Sequence, residues 1–113
     1  METDKESGQK FFDRTIAECA DAARPQINII DARSLLIKSG PGFYAGGVVQ
    51  NDVNELIISG DMVAVDTYCA ELMKKYDSSF DSEKRVKNQL NYAQSLGLGK
   101  ADLLKVEVIE MEL

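Results

Sequence analysis

Apolar residues recur at helical spacing in three stretches of the chain. Residues 10–24 carry them at three- and four-residue steps, and Pro25 then ends the predicted helix. A second helix is predicted over residues 61–76, with an aspartate at its N-cap, and a third over residues 83–96, with Gly97 as its stop. The apolar stripes are expected at Phe12, Ile16, Cys19 and Ala23 in the first helix and at Val86, Leu90, Ala93 and Leu96 in the third.

Three other stretches have the pattern of β-strands. Residues 26–31 (QINIID) and 55–59 (ELIIS) are short and rich in β-branched side chains, and residues 104–113 (LKVEVIEMEL) alternate between apolar and polar. Residues 34–38 fit either a helical turn or extended chain, and both assignments stay open here. Residues 39–47 (SGPGFYAGG) hold too much glycine for regular structure and are predicted to be a loop.

This order of elements predicts an α/β fold with a small, mainly parallel three-stranded sheet and helices packed on it. A connection of ~40 residues separates the second and third strands, and a parallel pairing needs a crossover of this kind. Residues 1–9 are interpreted as a polar lead-in and residues 10–113 as a single domain. Because three strands leave two open sheet edges, the domain is expected to be part of a larger α/β unit or to pair with another subunit.

The composition excludes several classes of function. The chain of 113 residues has a net charge of −6 and no histidine, which rules out histidine-based catalytic triads and HExxH zinc sites. The acidic balance argues against binding to nucleic acid or to anionic membranes, and the basic cluster of Lys84, Arg85 and Lys87 fits a solvated helix face. A disulfide-stapled secreted domain would carry more than two cysteines, so we expect a cytoplasmic setting. Cys19 and Cys69 form no CxxC motif and are expected to be small buried hydrophobes.

Candidate ligand-binding groups follow the first two predicted strands. Asp31 ends the first strand and Asp61 follows the second, and in a parallel pairing both carboxylates reach the same rim of the sheet. The glycine loop starts from that side, and its backbone N–H groups, with those of the helix after Gly60, can approach an anion. The loop lacks a Walker motif, so a plain connection is favoured over a phosphate-binding loop. The tentative ligand-binding set is Asp31, Gly40, Gly42, Gly46, Gly47, Asp61 and Asp66, and no catalytic residue is assigned.

Asp66 stands out among the apolar residues of the second predicted helix. It lies on the face that contains Met62 and Cys69, where an unpaired carboxylate is costly. In a structural interpretation, Asp66 accepts backbone N–H groups and holds the glycine loop. In a functional interpretation, Asp31, Asp61 and Asp66 form an acidic rim for Mg²⁺ or for substrate hydroxyls. The structural interpretation is favoured, and Asp61 is favoured as a simple N-cap.

Six segments of the chain carry a resemblance to a known family. They are NIIDA (28–32), SGPGFYAGG (39–47), LIISGDMVAVD (56–66), Leu72-Met73, SLGLGKADL (95–103) and KVEVIE (105–110). Together they resemble the C-terminal half of the domain of unknown function 362 family, which is often found in proteins that also carry ferredoxin-like iron–sulphur modules. The most specific element is D-x-V-A-V-D (residues 61–66) with the glycine loop upstream, and Met62 here stands in place of the usual proline.

The resemblance implies a fold and a redox association, but no reaction. The chain would be a C-terminal fragment or a reduced homologue, with no cofactor of its own and with an iron–sulphur cluster in a missing portion or in a partner. The implied partners are the N-terminal half of the family, a ferredoxin-like module or a second copy of the chain.

Three hypotheses for the function follow from these observations. In the leading one, the glycine loop and the carboxylates shape a ligand cleft or a cluster-docking cleft in an iron–sulphur-associated protein. The second is a small enzyme that binds an anionic or Mg²⁺-linked substrate at the carboxylate rim. The third is a non-catalytic assembly module that pairs through its open sheet edges.

Overall fold

The computed structural model of the chain describes residues 4–38 and 46–112, which form four helices and four short strands. A 3₁₀ turn, Leu103–Lys105, follows the last helix. None of the described helices is both long enough and apolar enough to cross a membrane. The elements are α1 (Asp4–Ala23), β1 (Asn28–Ala32), β2 (Leu35–Ile37), β3 (Val48–Gln50), β4 (Glu55–Ser59), α2 (Met62–Tyr76), α3 (Ser82–Arg85) and α4 (Lys87–Ser95).

The strands form two antiparallel pairs, so the mixed α/β class is confirmed and the mainly parallel three-stranded sheet is wrong. Strand β1 pairs with β4, and β2 pairs with β3. The stretch that the sequence left open, residues 34–38, contributes β2, which turns back through the glycine loop into β3. The residues before and after this hairpin lie side by side. The Arg33 carbonyl, before β2, accepts the N–H groups of Val53 and Asn54, after β3, at 3.2 and 3.1 Å. Strand β4 therefore runs back along β1, and an antiparallel neighbour needs no helical crossover.

Residues 106–112, the C-terminal segment, do not form the predicted third strand. They follow the 3₁₀ turn, whose Leu104 N–H donates to the Asp102 carboxylate at 3.0 Å. Because residues 103–105 form this turn, their side chains do not alternate between two faces as they would in the predicted strand. From Glu107 to Glu112, no backbone hydrogen bond to another described residue is formed, and Ile109 and Met111 are largely exposed.

Helix α1 is present but buries a different face from the predicted one. Ala17 is 2% exposed, whereas Phe12 is 58% exposed and Cys19 is also at the surface, so the predicted stripe and the predicted burial of Cys19 are wrong. The reason is close packing against α4, which favours a small side chain at the contact. The buried carboxylate of Asp13 adds a polar link, because it accepts the Asn88 side-chain amide at 3.1 Å.

The third predicted helix is divided into α3 and α4 by Val86, whose φ of −133° interrupts the helical backbone. Its apolar stripe is confirmed, since Leu90 and Ala93 are buried and Val86 and Leu96 pack against them. Gly97 ends α4 as predicted. It has φ of +79°, and its N–H and the N–H of Leu98 donate back to Gln94 and Ala93, the two bonds of a Schellman motif.

Helix α2 is shared by two hydrophobic clusters. The first lies between α1, α2 and α4, and the second lies between α2 and the strands. Because α2 contributes buried residues to both, its position fixes the helical layer relative to the sheet. The first cluster consists of Ala17, Val63, Leu90, Ala93 and Leu98, and the second of Ala32, Val53 and Leu72.

The start of α2 is fixed by Asp61, which is confirmed as the N-cap. One carboxylate oxygen accepts the N–H groups of Val63 and Ala64 at 3.0 and 2.8 Å, and the other accepts the N–H of Lys100 at 3.0 Å. Gly99 lies directly against this carboxylate, so any Cβ at that position would overlap it. The cap therefore also holds the turn after α4 against α2.

We expect Gly99→Ala to lower the free energy of unfolding by about 2–4 kcal/mol, because the new methyl group displaces the Asp61 carboxylate and disrupts the cap. Gly8→Ala is the matched control, since Gly8 lies in α1 with open space around it. There alanine should stabilise by about 0.5–1 kcal/mol. Urea denaturation of both variants measures the difference, and equal stabilities would contradict the role given to Asp61.

Candidate functional site

The predicted rim shared by Asp31 and Asp61 is not formed. Asp31 lies opposite Leu56 near the beginning of β4, whereas Asp61 follows Ser59 at its end. About 10 Å of strand separates these positions. The antiparallel direction of β1 and β4 is the cause, because it brings the carboxyl end of one strand beside the amino end of the other.

Asp31 forms an ion pair with Arg33. The Arg33 guanidinium donates to its two carboxylate oxygens at 2.9 to 3.1 Å, and the Arg33 N–H donates at 3.1 Å. These hydrogen bonds, led by those of the guanidinium, hold the pKa of Asp31 below its usual value. Asp31 is exposed and already paired, which leaves little of its charge for a ligand.

Asp66 is exposed, so its predicted position on a buried face is wrong. Partial loss of solvent around the Asp66 carboxylate nevertheless raises its pKa. Helix α2 contributes Val63 to one hydrophobic cluster and Leu72 to the other, and neither cluster includes Asp66. Within residues 4–38 and 46–112, no hydrogen bond to Asp66 is formed, and whether it holds the glycine loop stays a prediction.

The glycine loop connects β2 with β3. Gly40 and Gly42 lie outside the described residues, while Gly46 has φ of +74° and Gly47 precedes β3. The residue before the loop, Lys38, contacts the C-terminal end of α2. Since the 15 residues of α2 extend for about 22 Å, the start of the loop is at the opposite end of the helix from Gly60. The predicted combination of this loop with the N-terminus of α2 involves Gly40 and Gly42, which lie outside the described residues, and it stays a prediction.

The residue that anchors the start of the loop is Asp77, which the sequence did not single out. It is 5% exposed, and its carboxylate accepts the N–H of Lys38 at 2.9 Å and both the N–H and the hydroxyl of Ser79. These bonds, led by that of the Ser79 hydroxyl, lower the pKa of Asp77. The Asp-Ser-Ser sequence after α2 is a signal for such a side-chain turn and could have identified this residue.

The described residues form a groove of about 1300 Å³, which we call the α2–β4 groove. One wall is residues 54–59, which include all of β4, and the other is the C-terminal segment. The side chains of α2 that form its floor recur at helical spacing and therefore share one face of the helix. They are Ala64, Val65, Tyr68, Glu71, Leu72 and Lys75.

The two walls of the groove run in opposite directions. The C-terminal segment starts after the 3₁₀ turn that contacts α2, near the first turns of that helix, and continues to Glu110, whose charge acts on Tyr68. Tyr68 in turn donates a hydrogen bond to Glu55, at the beginning of β4, at 2.8 Å. This bond is the main reason that the pKa of Tyr68 rises to about 12, with burial and the charges of Glu55 and Glu110 adding to it.

The donor set does not fit an iron–sulphur cluster. Such clusters are usually held by four cysteine thiolates, and the chain has two cysteines. Cys19 is exposed on α1, and Cys69 is half-buried on α2, where burial and then the charges of Asp66 and Glu55 raise its pKa to about 11. Among the described residues, no group of three potential metal ligands comes together.

Comparison with protein families gives one match. The family model described as "Domain of unknown function (DUF362)" matches residues 1–71. The match includes α1, all four strands and most of α2, whereas α3, α4 and the C-terminal segment lie beyond it. The resemblance assigned to residues 95–110 is therefore not confirmed. No curated protein and no solved structure gives a significant match to the chain.

The lowered pKa of Asp77 predicts a pH-dependent stability. Because the folded-state pKa lies below the unfolded value, the contribution of Asp77 is present above about pH 4 and is lost as the pH falls through the folded-state pKa. Asp77→Asn should therefore destabilise at pH 7, and the difference from the original chain should shrink at pH 3. Thermal melts at both pH values test this, with exposed Asp52→Asn as the control. A difference that stays constant with pH would contradict it.

The raised pKa of Tyr68 predicts one phenol that titrates near pH 12. Because this folded-state pKa exceeds the unfolded value of about 10, the contribution to stability is complete below pH 10 and is lost as the pH rises through 12. Absorbance at alkaline pH after a rapid pH jump should show the late step, and Tyr68→Phe should remove it. Tyr92→Phe is the control, and the account fails if the late step persists in Tyr68→Phe.

Proposed function

The chain belongs to the domain of unknown function 362 (DUF362) family, and from this premise we propose that it is a non-catalytic assembly module that accepts an extended strand of a partner protein in the α2–β4 groove. The observation that carries the proposal is that β4 and the C-terminal segment both line this groove and have backbone groups without partners among the described residues. Strand β4 pairs only with β1 among the described strands, and the C-terminal segment pairs with none.

Unpaired strand edges favour the addition of another strand. Backbone N–H and C=O groups along such an edge are a template for pairing, and peptide-binding domains use them to add a strand from a ligand. A strand inserted in the α2–β4 groove pairs with β4 on one side and with the C-terminal segment on the other.

The outer face of the β1–β4 pair supports the same proposal. Ile29 and Ile58 are cross-strand partners, and both are more than half exposed, as is Leu56 beside them. Monomeric proteins rarely leave adjacent apolar side chains of this size uncovered. A partner that supplies a strand to the groove can also cover this face.

The competing hypotheses have less support from the geometry. The carboxylate-rim enzyme requires Asp31 and Asp61 at one place, and they lie apart, each with hydrogen-bond donors of its own. The cluster-docking hypothesis rests on the resemblance alone. On that basis we propose the N-terminal half of the family, or a ferredoxin-like module, as the source of the strand, with any iron–sulphur cluster in that partner.

The proposal predicts which peptides the chain selects. A displayed library of random peptides, selected on the intact chain, should yield peptides that alternate between apolar and polar residues. We expect their binding to shift the amide resonances of β4 and of the C-terminal segment, and to weaken about tenfold or more when the chain is ended after Lys105. This deletion removes no residue of either hydrophobic cluster, so the fold is retained.

Phe12→Ala is the matched control, since it removes an exposed apolar side chain of α1 and should leave the affinity unchanged. Three results would each contradict the proposal. One is the selection of no peptide, and another is equal binding to the shortened chain. The third is resonance shifts confined to the surface between α1 and α4, around Phe11 and Tyr92.

A further inference from the structure

The α2–β4 groove has a strongly acidic lining. Six carboxylates and two basic side chains line it, and one of the bases, Arg33, is already paired with Asp31. The other base is Lys75, which lies 5.6 Å from the ring centre of Tyr76 at the end of α2. The lining therefore has an excess of negative charge along its length. The carboxylates belong to Asp31, Glu55, Glu71, Glu107, Glu110 and Glu112.

Two of these carboxylates, on opposite walls of the groove, act on Tyr68. Glu55 on β4 accepts the Tyr68 hydroxyl at 2.8 Å, and Glu110 on the opposite wall is close enough for its charge to act on the same phenol. The Tyr68 hydroxyl donates its one hydrogen to Glu55 and carries no positive charge. Tyr68 therefore gives neither carboxylate a cationic partner. No ion pair of Glu55 or Glu110 with another described residue is formed.

The other end of the groove floor is apolar. Ala64 and Val65 form it there, next to Leu103 and Val106. A strand in the groove would therefore have two different environments along the face that it turns towards α2. Small apolar side chains fit one end, and the pair of carboxylates occupies the other.

Insertion of a strand makes these two carboxylates costly, because neither forms an ion pair with a described residue. The strand would displace the water that now solvates Glu55 and Glu110, and a carboxylate removed from water without a partner is strongly destabilising. A cationic side chain on the strand removes this penalty and forms charge-assisted hydrogen bonds. The acidic pair thus selects against strands that are apolar or acidic at this position.

We propose that the strand bound in the α2–β4 groove presents a lysine or arginine towards α2, between Glu55 and Glu110 and beside Tyr68. This inference rests on the proposed function and names the chemistry of the segment that the groove accepts. The described strands and the C-terminal segment of a second copy of the chain do not supply such a residue. None of the strands β1 to β4 contains a basic residue, and the C-terminal segment adds only further carboxylates.

Two synthetic peptides that differ at one position test the inference. Both alternate threonine and valine, and one central valine is replaced by lysine in the first and by norleucine, its uncharged analogue, in the second. We expect the lysine peptide to bind the chain about tenfold more tightly or better. Glu110→Gln should remove most of this difference, while Glu112→Gln, an exposed carboxylate of the same segment, should preserve most of it.

Tyr68 supplies a second measurement. A cation between the two carboxylates stabilises the phenolate, so the lysine peptide should lower the pKa of Tyr68 from about 12 and the norleucine peptide should not. Equal affinities of the two peptides, or equal losses in Glu110→Gln and Glu112→Gln, would overturn the inference while leaving strand binding intact. Failure of both peptides to bind would count against the proposed function as well.

Discussion

The carboxylate of Asp61 is the interaction on which the arrangement of the groove depends. It accepts three backbone N–H groups, two at the start of α2 and one from Lys100. The first two fix where α2 begins after β4, and the third holds the turn that follows α4 against the same place. Since the C-terminal segment starts a few residues later, this carboxylate also sets where the second wall of the groove begins. The absence of a side chain at Gly99 is what permits so close an approach.

Helix α2 packs against helices on one side and against strands on the other, and only the helical side is covered. On one side it packs with α1 and α4 around Val63 and Leu90, and this cluster is covered by helices. On the other side it packs on two separate strand pairs, with β4 open to the groove and Ile29, Leu56 and Ile58 exposed beside it. A sheet of two strands is marginal by itself. The proposed partner strand would lie between β4 and the C-terminal segment, which both line the groove.

Features that depend on neighbouring residues could be predicted from the sequence. The N-cap at Asp61, the end of α4 at Gly97 and the strand ELIIS were each predicted by a local signal, and each is present. The stripe of α4 was also predicted correctly, because Leu90 and Ala93 meet a single neighbouring layer.

Features that depend on distant contacts could not be predicted in this way. The direction of β4 follows from a hairpin of two three-residue strands, β2 and β3, which are too short to give a clear pattern. The buried face of α1 is selected by its contact with α4, which favours Ala17 over the larger Phe12. The anchor at the start of the glycine loop, Asp77, was also missed, because the residue that it holds, Lys38, meets the C-terminal end of α2 through a contact 39 residues apart in sequence. The candidate groove depends on the first of these arrangements, because residues 54–59, which include all of β4, form one of its walls.

The central claim is that the groove between β4 and the C-terminal segment is open in the isolated chain and ready to receive a strand. Amide hydrogen exchange followed by NMR measures this directly, residue by residue. The account predicts that the amides from Glu107 to Met111 exchange at the rates of an unstructured peptide, while those of β4 that bond to β1 are protected. Protection of residues 107–111 in the isolated chain would contradict it, because the chain would then close the groove with its own segment.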